Sequence, residues 1–422
     1  MPFATLGLGS KLTQALKEKG YVEPTPIQAK AIPTILAGRD VIGVAQTGTG
    51  KTAAFVLPLL EQMAATPPQR TMRVLVIAPT RELVAQIEEN VRAYGRHLPL
   101  RYATIFGGVG EGPQIQALRR GVDLVVATPG RLIDLMEQRH VDFSALQVLV
   151  LDEADRMLDM GFLPAIRRIL AKTPAARQTL LFSATMSKEI EGVAKDVLKN
   201  PVLVEIGARS TPAEAVTQWV VEVSPAGKVP ALIHLLKDAA LESVLVFSRT
   251  KHGADRIARK LSAAGLTTAT LHSNRTQGQR LQSLRRFKSG DVRVLIATDI
   301  AARGIDVDGI SHVINFDFPP QPEDYVHRIG RTGRAQAIGD AISFATHEDA
   351  DSVKRLERFL GRGIARKKLE GYVAAATPAP SAGAAPERAK GPWRSRNQKP
   401  NRFGGNRSGQ NRGKPQGRRG RT

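Results

Sequence analysis

The chain has 422 residues, a length that predicts two or three domains, each able to bury its own core. Its hydrophobic content of 42% and charged content of 24% are ordinary for a globular protein, and the absence of cysteine excludes disulfides, thiolate metal sites and a cysteine nucleophile. The net charge of +22 indicates a polyanionic partner, the alternative being a basic protein without one.

The first part of the chain, residues 1–206, has the pattern of one α/β domain. An amphipathic helix pattern around Leu12 and Leu16 comes first, and from residue 40 short β-branched apolar runs alternate with helical patterns. Such alternation predicts a doubly wound parallel sheet covered by helices on both faces. The predicted strands are residues 41–44, 74–78, 103–106, 124–127, 148–151, 180–182 and 202–206.

A second α/β domain is predicted for residues 216–373. The segment 207–215, GARSTPAEA, interrupts the alternation and therefore predicts an interdomain linker. The alternation then resumes, as a duplication of the first domain would produce, and a helix over 348–360 closes it. The predicted strands are residues 216–223, 244–247, 267–271, 292–297, 312–316 and 341–344.

The last segment, residues 374–422, differs in composition from the rest of the chain. It carries twelve Lys and Arg residues against Glu387 alone, a net charge of +11 and half the excess of the whole chain. Few apolar side chains are present to offset the entropy of ordering, which predicts a disordered Arg/Gly-rich basic tail. Arginines interleaved with Trp393 and Phe403 are suited to stacking on bases and following phosphates, so RNA binding is one interpretation and a solubilising end the other.

A glycine-rich octet, AQTGTGKT at residues 45–52, lies between a predicted strand and the start of a predicted helix. In such a loop backbone N–H groups and the positive helix end face phosphates, Lys51 adds a positive charge, and Thr52 can hold Mg²⁺. The usual pattern begins with Gly where Ala45 stands, so a glycine-rich turn with a coincidental lysine is the alternative. The octet predicts a nucleotide site formed by Thr47, Gly48, Thr49, Gly50, Lys51 and Thr52.

Four residues, Asp152-Glu153-Ala154-Asp155, directly follow the predicted strand 148–151. In a doubly wound sheet this carboxyl end is where ligands bind. Asp152 can hold Mg²⁺ there, and Glu153 can orient and deprotonate a water that attacks a γ-phosphate. A solvated acidic turn is the alternative.

The stretch HRIGRTGR at residues 327–334 places Arg331 and Arg334 about one helical turn apart. An arginine held at the γ-phosphate stabilises charge in the transition state and is worth about 10³–10⁵ in rate in other nucleotide hydrolases. A basic helix that faces RNA is the alternative.

Together these motifs resemble those of the DEAD-box family of ATP-dependent RNA helicases. Residues 152–155 spell DEAD, the family starts its phosphate loop with Ala, and the likeness runs in order from Phe3 to about Leu360. The resemblance implies two tandem RecA-like domains, ATP and Mg²⁺ as ligands, and RNA as a partner. His272-Ser273-Asn274 departs from the pattern, because a Gly is expected after the His; this and the tail resemble the bacterial RhlE-like branch.

The resemblance also implies roles around the nucleotide. Gln28 would hydrogen-bond the adenine edge, Phe3 would stack on the ring, and Asp306 would touch the ribose. The alternatives are a polar turn residue for Gln28 and a core anchor for Phe3. Coupling of the nucleotide state to RNA is implied for Asp155, Ser183, Thr185 and His327, although an ordinary helix cap is the alternative at 183–185.

The residues that resemble the family's RNA contacts lie mostly where predicted strands end and helices begin. Hydroxyls, helix N-termini and arginines suit phosphates and carry no sequence information, although each alone is more often a helix cap. The RNA contacts implied are Pro79, Thr80, Arg81, Gly107, Gly108, Thr128, Arg131, Arg249, Gln277, Arg280 and Thr298.

The sequence thus predicts an ATP-dependent RNA helicase that hydrolyses ATP when RNA closes its two domains. An ATP-gated RNA clamp or annealing chaperone is one alternative, and a DNA-directed translocase is another. No apolar run reaches membrane-spanning length and no secretory signal pattern begins the chain, so we expect a cytoplasmic protein without a membrane partner.

Overall fold

The computed structural model of the chain describes residues 2–46, 48–67, 69–206, 216–302, 309–332, 339–369 and 371–372, without the side chain of Ile300. The predicted linker 207–215 and the predicted tail 374–422 lie outside these residues. Both sheets described below belong to one compact unit, Met1–Ala376.

The first domain alternates strands and helices, as its sequence pattern predicts. Its strands are β1 Val41–Val44, β2 Val74–Ile77, β3 Tyr102–Ile105, β4 Leu124–Ala127, β5 Val148–Leu151, β6 Gln178–Ser183 and β7 Val202–Glu205. Its α-helices are α1 Ser10–Glu18, α2 Pro26–Leu36, α3 Lys51–Ala64, α4 Arg81–Tyr94, α5 Gly112–Arg120, α6 Pro129–Glu137, α7 Ala154–Asp159, α8 Leu163–Leu170 and α9 Lys188–Val197. A 3₁₀ turn, Phe3–Leu6, precedes them.

The strands of the first domain form one parallel sheet in the order β3-β4-β2-β5-β6-β1-β7. Successive side chains of a strand point to opposite faces, and here both faces are buried. In β5, Val148 and Val150 pack into the core on one face, while Leu149 and Leu151 pack into the core on the other. Helices on both faces therefore explain why the strands are continuous apolar runs.

The second domain repeats this arrangement. Its strands are β8 Val216–Glu222, β9 Val244–Phe247, β10 Thr268–Leu271, β11 Val294–Ala297, β12 His312–Asn315, β13 Gly339–Ala345 and β14 Ala365–Arg366. Its α-helices are α10 Lys228–Leu235, α11 Lys251–Ala263, α12 Gln277–Lys288, α13 Asp299–Ala302, α14 Pro322–Ile329 and α15 Ala350–Leu360. 3₁₀ turns over Pro225–Gly227 and His347–Asp349 precede α10 and α15.

The second sheet has the order β10-β11-β9-β12-β13-β8-β14, and all its described pairs are parallel. The strands occur in the same order as in the first sheet when β8 is matched with β1, β9 with β2, and so on to β14 with β7. The fold class predicted from the alternation is confirmed: two tandem doubly wound α/β domains. Because all strands of a parallel sheet end at one edge, the loops after β1, β2, β4, β5 and β6 are brought together there.

Among the described residues, no helix combines the length and the apolar composition needed to cross a bilayer.

Candidate nucleotide and RNA site

The glycine-rich octet forms the turn from β1 to α3, and α3 begins at Lys51. Gly50 precedes the helix with φ +89, and a Cβ atom there would lie 2.3 Å from Nε2 of Gln28. A side chain at this position is therefore excluded by backbone strain and by close approach. Nε2 of Gln28 donates to the carbonyl of Gly50 at 3.2 Å, so the predicted adenine-reading residue is joined to the phosphate loop.

Lys51 is buried and folds back onto its own loop. Its Nζ donates to the carbonyl oxygen of Ala45. Burial lowers the pKa of Lys51, while the nearby charge of Asp152 opposes that shift. The hydroxyl of Thr49 likewise donates to the carbonyl of Gln46 at 2.6 Å. These bonds hold the loop in shape, and a phosphate oxygen offers the Lys51 ammonium a better acceptor than a carbonyl. Thr47 lies outside the described residues, whereas Gly48 lies within them, with φ +85.

Asp152 follows β5 and is 2% exposed. Burial, together with the charge of Glu153, raises the pKa of Asp152 to about 7 against the opposing charge of Lys51. The backbone N–H of Glu153 donates to its Oδ1 at 3.0 Å. A buried carboxylate whose charged form is disfavoured fits a divalent cation, because the cation's charge reverses that preference. Mg²⁺ commonly takes one or two protein ligands together with phosphate oxygens and water, so Asp152 and Thr52 suffice as a pair.

Glu153 occupies the N-cap position of α7, and its backbone lies in the left-handed region, with φ 51 and ψ 53. Its carboxylate forms a buried ion pair with Arg156. Burial alone would raise the pKa of Glu153, but the charges of Arg156 and Arg331 outweigh burial and lower it. A carboxylate that stays ionised in this way is in the unprotonated form that a general base requires, and it can orient a water by accepting its hydrogen bond.

The last acid of the motif, Asp155, binds the loop after β6. Its Oδ2 accepts the backbone N–H groups of Ala184 at 3.0 Å and Thr185 at 3.1 Å, and the Thr185 hydroxyl at 3.3 Å. The backbone N–H of Asp155 donates to the hydroxyl of Ser183 at 3.3 Å. The acidic loop and the Ser-Ala-Thr loop are thereby one hydrogen-bonded unit.

Two residues of the second domain line a pocket together with these first-domain side chains. The pocket is bounded by Lys51, Glu153, Asp155, Arg156, Ala184, His327 and Arg331. Arg331 is 6% exposed, and its Nε donates to the carbonyl of His327 at 3.3 Å. Burial lowers the pKa of His327, although the charge of Asp155 opposes that shift. Arg334 and Asp306 lie outside the described residues.

Arg328, in the same stretch, was assigned no role from the sequence and has a structural one. It is 3% exposed and forms a bidentate ion pair with Asp299. Its Nε donates to Oδ1 at 2.5 Å and its Nη2 donates to Oδ2 at 2.7 Å. Its Nη1 donates to Oδ1 of Asn315 at 3.1 Å and to the carbonyl of Asp317 at 2.7 Å. This arginine fixes α14, and with it the position of Arg331.

On the adenine side, Phe3 is 5% exposed and belongs to the core of the first domain. Its ring meets the ring of Tyr21 edge-on, with the centroids 6.4 Å apart. Tyr21 is the more exposed ring, at 36%, and its hydroxyl lies 3.1 Å from that of Tyr94. This geometry favours the core-anchor alternative for Phe3 and leaves Tyr21 as the ring with the exposed face. Tyr21 was assigned no role from the sequence, although it stands seven residues before Gln28.

The first-domain residues predicted to contact RNA gather around the loop after β3. A Cβ atom at Gly108, where φ is +80, would lie 1.8 Å from Nη1 of Arg81, so the arginine lies directly over this glycine. Both Nη atoms of Arg131 donate to the carbonyl of Val109 at 3.3 Å. Thr80, after Pro79, caps α4 by accepting the backbone N–H of Leu83 at 3.3 Å.

Three further predicted RNA contacts occupy starts of helices or ends of strands. Thr128 precedes α6 and makes no capping bond to the described residues of that helix, so its hydroxyl is not used in that way. Arg249 follows β9 and is exposed, with its backbone N–H donating to Oδ2 of Asp317 at 2.9 Å. Thr298 follows β11 and is partly buried.

Gln277 and Arg280 make a different contact from the one predicted. Nε2 of Gln277 donates to Oε1 of Glu82 at 3.0 Å, and Nη2 of Arg280 lies 3.0 Å from Oε2 of the same carboxylate. Glu82 is 2% exposed and belongs to the first domain, so these side chains join the two domains. A buried carboxylate requires such partners. Glu82 itself was assigned no role from the sequence, although it directly follows the predicted RNA contacts Pro79, Thr80 and Arg81.

One family model, DEAD/DEAH box helicase, matches residues 25–193, and a second, Helicase conserved C-terminal domain, matches residues 227–336. The DEAD-box ATP-dependent RNA helicase CshA of Bacillus licheniformis is 44% identical over 366 residues, which cover 87% of this chain and 75% of the relative. The ATP-dependent RNA helicase RhlB of Pseudomonas syringae pv. tomato is 45% identical over 370 residues, which cover 86% of this chain and 93% of the relative.

Solved structures give the same likeness in three dimensions. The structure of S. cerevisiae Dbp5 bound to RNA and ADP BeF3 is 31% identical, with a TM-score of 0.79. The match covers 87% of this chain and 95% of that one, and so extends over both parallel sheets.

Proposed function

The chain belongs to the DEAD-box family of ATP-dependent RNA helicases, and from that premise we propose how its residues divide between ATP and RNA. ATP binds at the C-terminal edge of the first sheet. RNA lies across the strand ends of both domains and makes their closed arrangement favourable. Closure completes the hydrolytic site, so that ATP is hydrolysed only when RNA is bound.

In the hydrolytic step, Glu153 orients a water and accepts its proton. The water oxygen bonds to the γ-phosphorus, the bond from that phosphorus to the β–γ bridging oxygen breaks, and ADP and phosphate leave. Lys51, Arg331 and Arg334 counter the charge on the phosphate oxygens. Mg²⁺, held by Thr52 and Asp152, would neutralise phosphate charge when bound.

The base and ribose are held beside this centre. Gln28 reads the adenine edge, Tyr21 supplies the ring that faces the base, and Asp306 binds the ribose. Phe3 supports Tyr21 from the core. The backbone of 47–50 wraps the phosphates at the N-terminus of α3.

The shared pocket is the observation that carries the proposal. Arg331 comes from the second domain, yet it borders the same pocket as Lys51 and Glu153 of the first. Hydrolysis therefore requires both domains, and any ligand that spans them can control it.

RNA is held through its backbone, with little sequence preference. Arg81 and Arg131 hold the first-domain loop, Arg249 and Thr298 extend the path onto the second domain, and Gln277 and Arg280 bind Glu82 to stabilise closure. The basic tail 374–422 adds a further RNA-binding segment. Bending of one strand along this path opens a short duplex locally.

The test compares turnover of ATP with single-stranded RNA and with single-stranded DNA of the same sequence, beside unwinding of a short RNA duplex. We expect stimulation by RNA well above that by DNA, and ATP-dependent strand separation. Equal stimulation by DNA would favour a translocase on DNA. RNA-stimulated turnover that accelerates annealing without separating strands would favour an RNA chaperone.

The Glu153→Gln variant tests the central assignment. An amide cannot accept the proton, so turnover should fall about 10²–10⁴-fold, while RNA binding in the presence of ATP is kept. Glu89→Gln, an exposed substitution of the same kind on α4, serves as the matched control. Unchanged turnover in Glu153→Gln would remove Glu153 from the mechanism.

A further inference from the structure

Arg156 has no part in the steps above, yet it binds the carboxylate on which they depend. Its Nη1 donates to Oε2 of Glu153, and the two side chains are 7% and 12% exposed. An ion pair at this depth differs from the surface pair of Arg167 and Asp196, whose side chains are 63% and 61% exposed. Surface pairs of that kind hold neither partner in one position, whereas burial keeps this one in place.

The backbone of Glu153 is also fixed. Its φ of 51 lies in the left-handed region, which a non-glycine residue keeps only where its surroundings demand it. The backbone N–H of Glu153 donates to Oδ1 of Asp152 at 3.0 Å, and its carbonyl accepts the backbone N–H of Met157 at 3.0 Å. Because the backbone of Glu153 is held on both sides, the position of its carboxylate depends on the ion pair with Arg156.

The neighbouring acid does not compete for the guanidinium. Oδ2 of Asp155 is taken by the loop after β6, and its Oδ1 accepts the backbone N–H of Arg156 at 3.0 Å. The side chain of Arg156 is therefore directed to Glu153, three residues earlier across the N-terminus of α7.

A contribution to stability alone does not explain an arginine at position 156. Its Nε and Nη2 are buried and have no hydrogen-bond partner among the residues that the structure describes. Unsatisfied buried donors destabilise a fold, so a side chain kept only for packing would be apolar here. The pair borders the pocket that also contains Lys51 and Arg331, where the reacting phosphate is expected.

We propose that Arg156 is a positioning residue that holds the carboxylate of Glu153 where it orients the attacking water. The inference rests on the role proposed for Glu153. Removing the guanidinium leaves ATP and RNA bound but lets the carboxylate leave its place, so kcat falls while KM for ATP does not rise.

The experiment is a double-mutant cycle of Arg156→Gln and Glu153→Gln in the full chain, with Arg156→Lys as the conservative variant and Arg167→Gln as an exposed control on α8. It measures kcat and KM for ATP at saturating RNA, single-turnover hydrolysis, and RNA affinity with the β,γ-imido analogue of ATP. Arg156→Gln should lower kcat about 10- to 100-fold, with KM and analogue-dependent RNA affinity within about twofold. Arg156→Lys should regain part of that activity, and Arg167→Gln should behave as the unmodified chain.

The cycle separates a positioning role from a structural one. In the Glu153→Gln background, Arg156→Gln should cause no further decrease in single-turnover hydrolysis. Equal decreases in both backgrounds would overturn the inference, because Arg156 would then act without Glu153. Unchanged kcat, or joint weakening of ATP and RNA binding, would also overturn it. If Glu153→Gln itself retains turnover, the proposed function fails instead, and the two failures are distinct.

Discussion

At the scale of single residues, the interaction with most consequence for closure is the one made by Glu82. Its carboxylate is almost fully buried and accepts Gln277 and Arg280 from the other domain. Removal of Arg280 would leave the buried Glu82 carboxylate without a compensating cation. If Arg280 instead bound a phosphate, its removal would cost only an exposed ion pair with the RNA. These two roles of Arg280 make different predictions.

Arg280→Ala should weaken RNA binding in the presence of an ATP analogue about tenfold or more, because the closed state then buries Glu82 without a cation. Glu82→Gln should weaken it in the same direction, and the charge-swapped pair Glu82→Arg with Arg280→Glu should recover part of the affinity. Fluorescence anisotropy over a series of salt concentrations measures this. An Arg280 that binds phosphate would instead reduce the salt slope by about one unit and leave Glu82→Gln without effect.

The sequence could predict which residues belong to the site but not all their partners. Lys51, Asp152 and Glu153 were predictable because their motifs combine a strand end with the chemistry of phosphate. Arg331 was predictable because two arginines about one helical turn apart suit a γ-phosphate. No role could be predicted for Arg156 from the sequence. Its pairing with Glu153 depends on the left-handed backbone conformation of Glu153, which no local sequence pattern indicates. A pair such as Glu82 and Arg280 depends on how two domains meet, and that is not encoded in either motif.

At the scale of elements, one acid at the start of the first sheet holds three strands together. Asp40 precedes β1 and is 7% exposed. Its Oδ1 accepts the backbone N–H of Thr179 in β6 at 2.8 Å, and its Oδ2 accepts that of Lys199, just before β7, at 2.6 Å. Bonds from backbone N–H groups to a buried carboxylate are among the stronger ones in proteins.

Asp40→Asn keeps the size of the side chain but turns an NH₂ group toward one of these donors. We expect it to lower the free energy of unfolding of the first domain by about 2 kcal/mol, with a lower midpoint in urea followed by circular dichroism. Asp196→Asn, at a position whose side chain is 61% exposed, should stay within about 0.5 kcal/mol. Equal effects of the two substitutions would contradict the role given to Asp40.

The elements themselves were largely predictable. Thirteen of the described strands coincide with predicted apolar runs, most of them buried on both faces, and so strong a pattern is visible in the sequence alone. The exception is β14, two exposed residues that pair with β8 at the edge of the second sheet. A strand of that length has no alternation to recognise. Lys367, which follows it, lies 3.3 Å from the centre of the Trp219 ring in β8.

At the scale of the whole molecule, the last described residues are bound to the second domain. After β14 the chain runs to Tyr372, whose hydroxyl donates to the carbonyl of Gly227 at 3.0 Å. The next residue after that glycine, Lys228, pairs with Asp317, which also accepts the backbone N–H of Arg249. Tyr372, the last described residue, therefore lies near the strand end that we assign to RNA in the second domain.

Deleting residues 374–422 should weaken RNA binding and flatten its dependence on salt, because the tail carries half of the chain's excess positive charge. The slope of log affinity against log salt should fall by about 0.7 for every phosphate of a single strand that the shortened chain no longer neutralises. Turnover of ATP at saturating RNA should stay unchanged, since the pocket around Lys51 and Arg331 lies within the domains. A full-length variant with the tail's Lys and Arg changed to Gln keeps the length and should match the deletion. A salt slope unaltered in both variants would show that the tail does not contact RNA, and a slope altered only by the deletion would assign the effect to something other than charge.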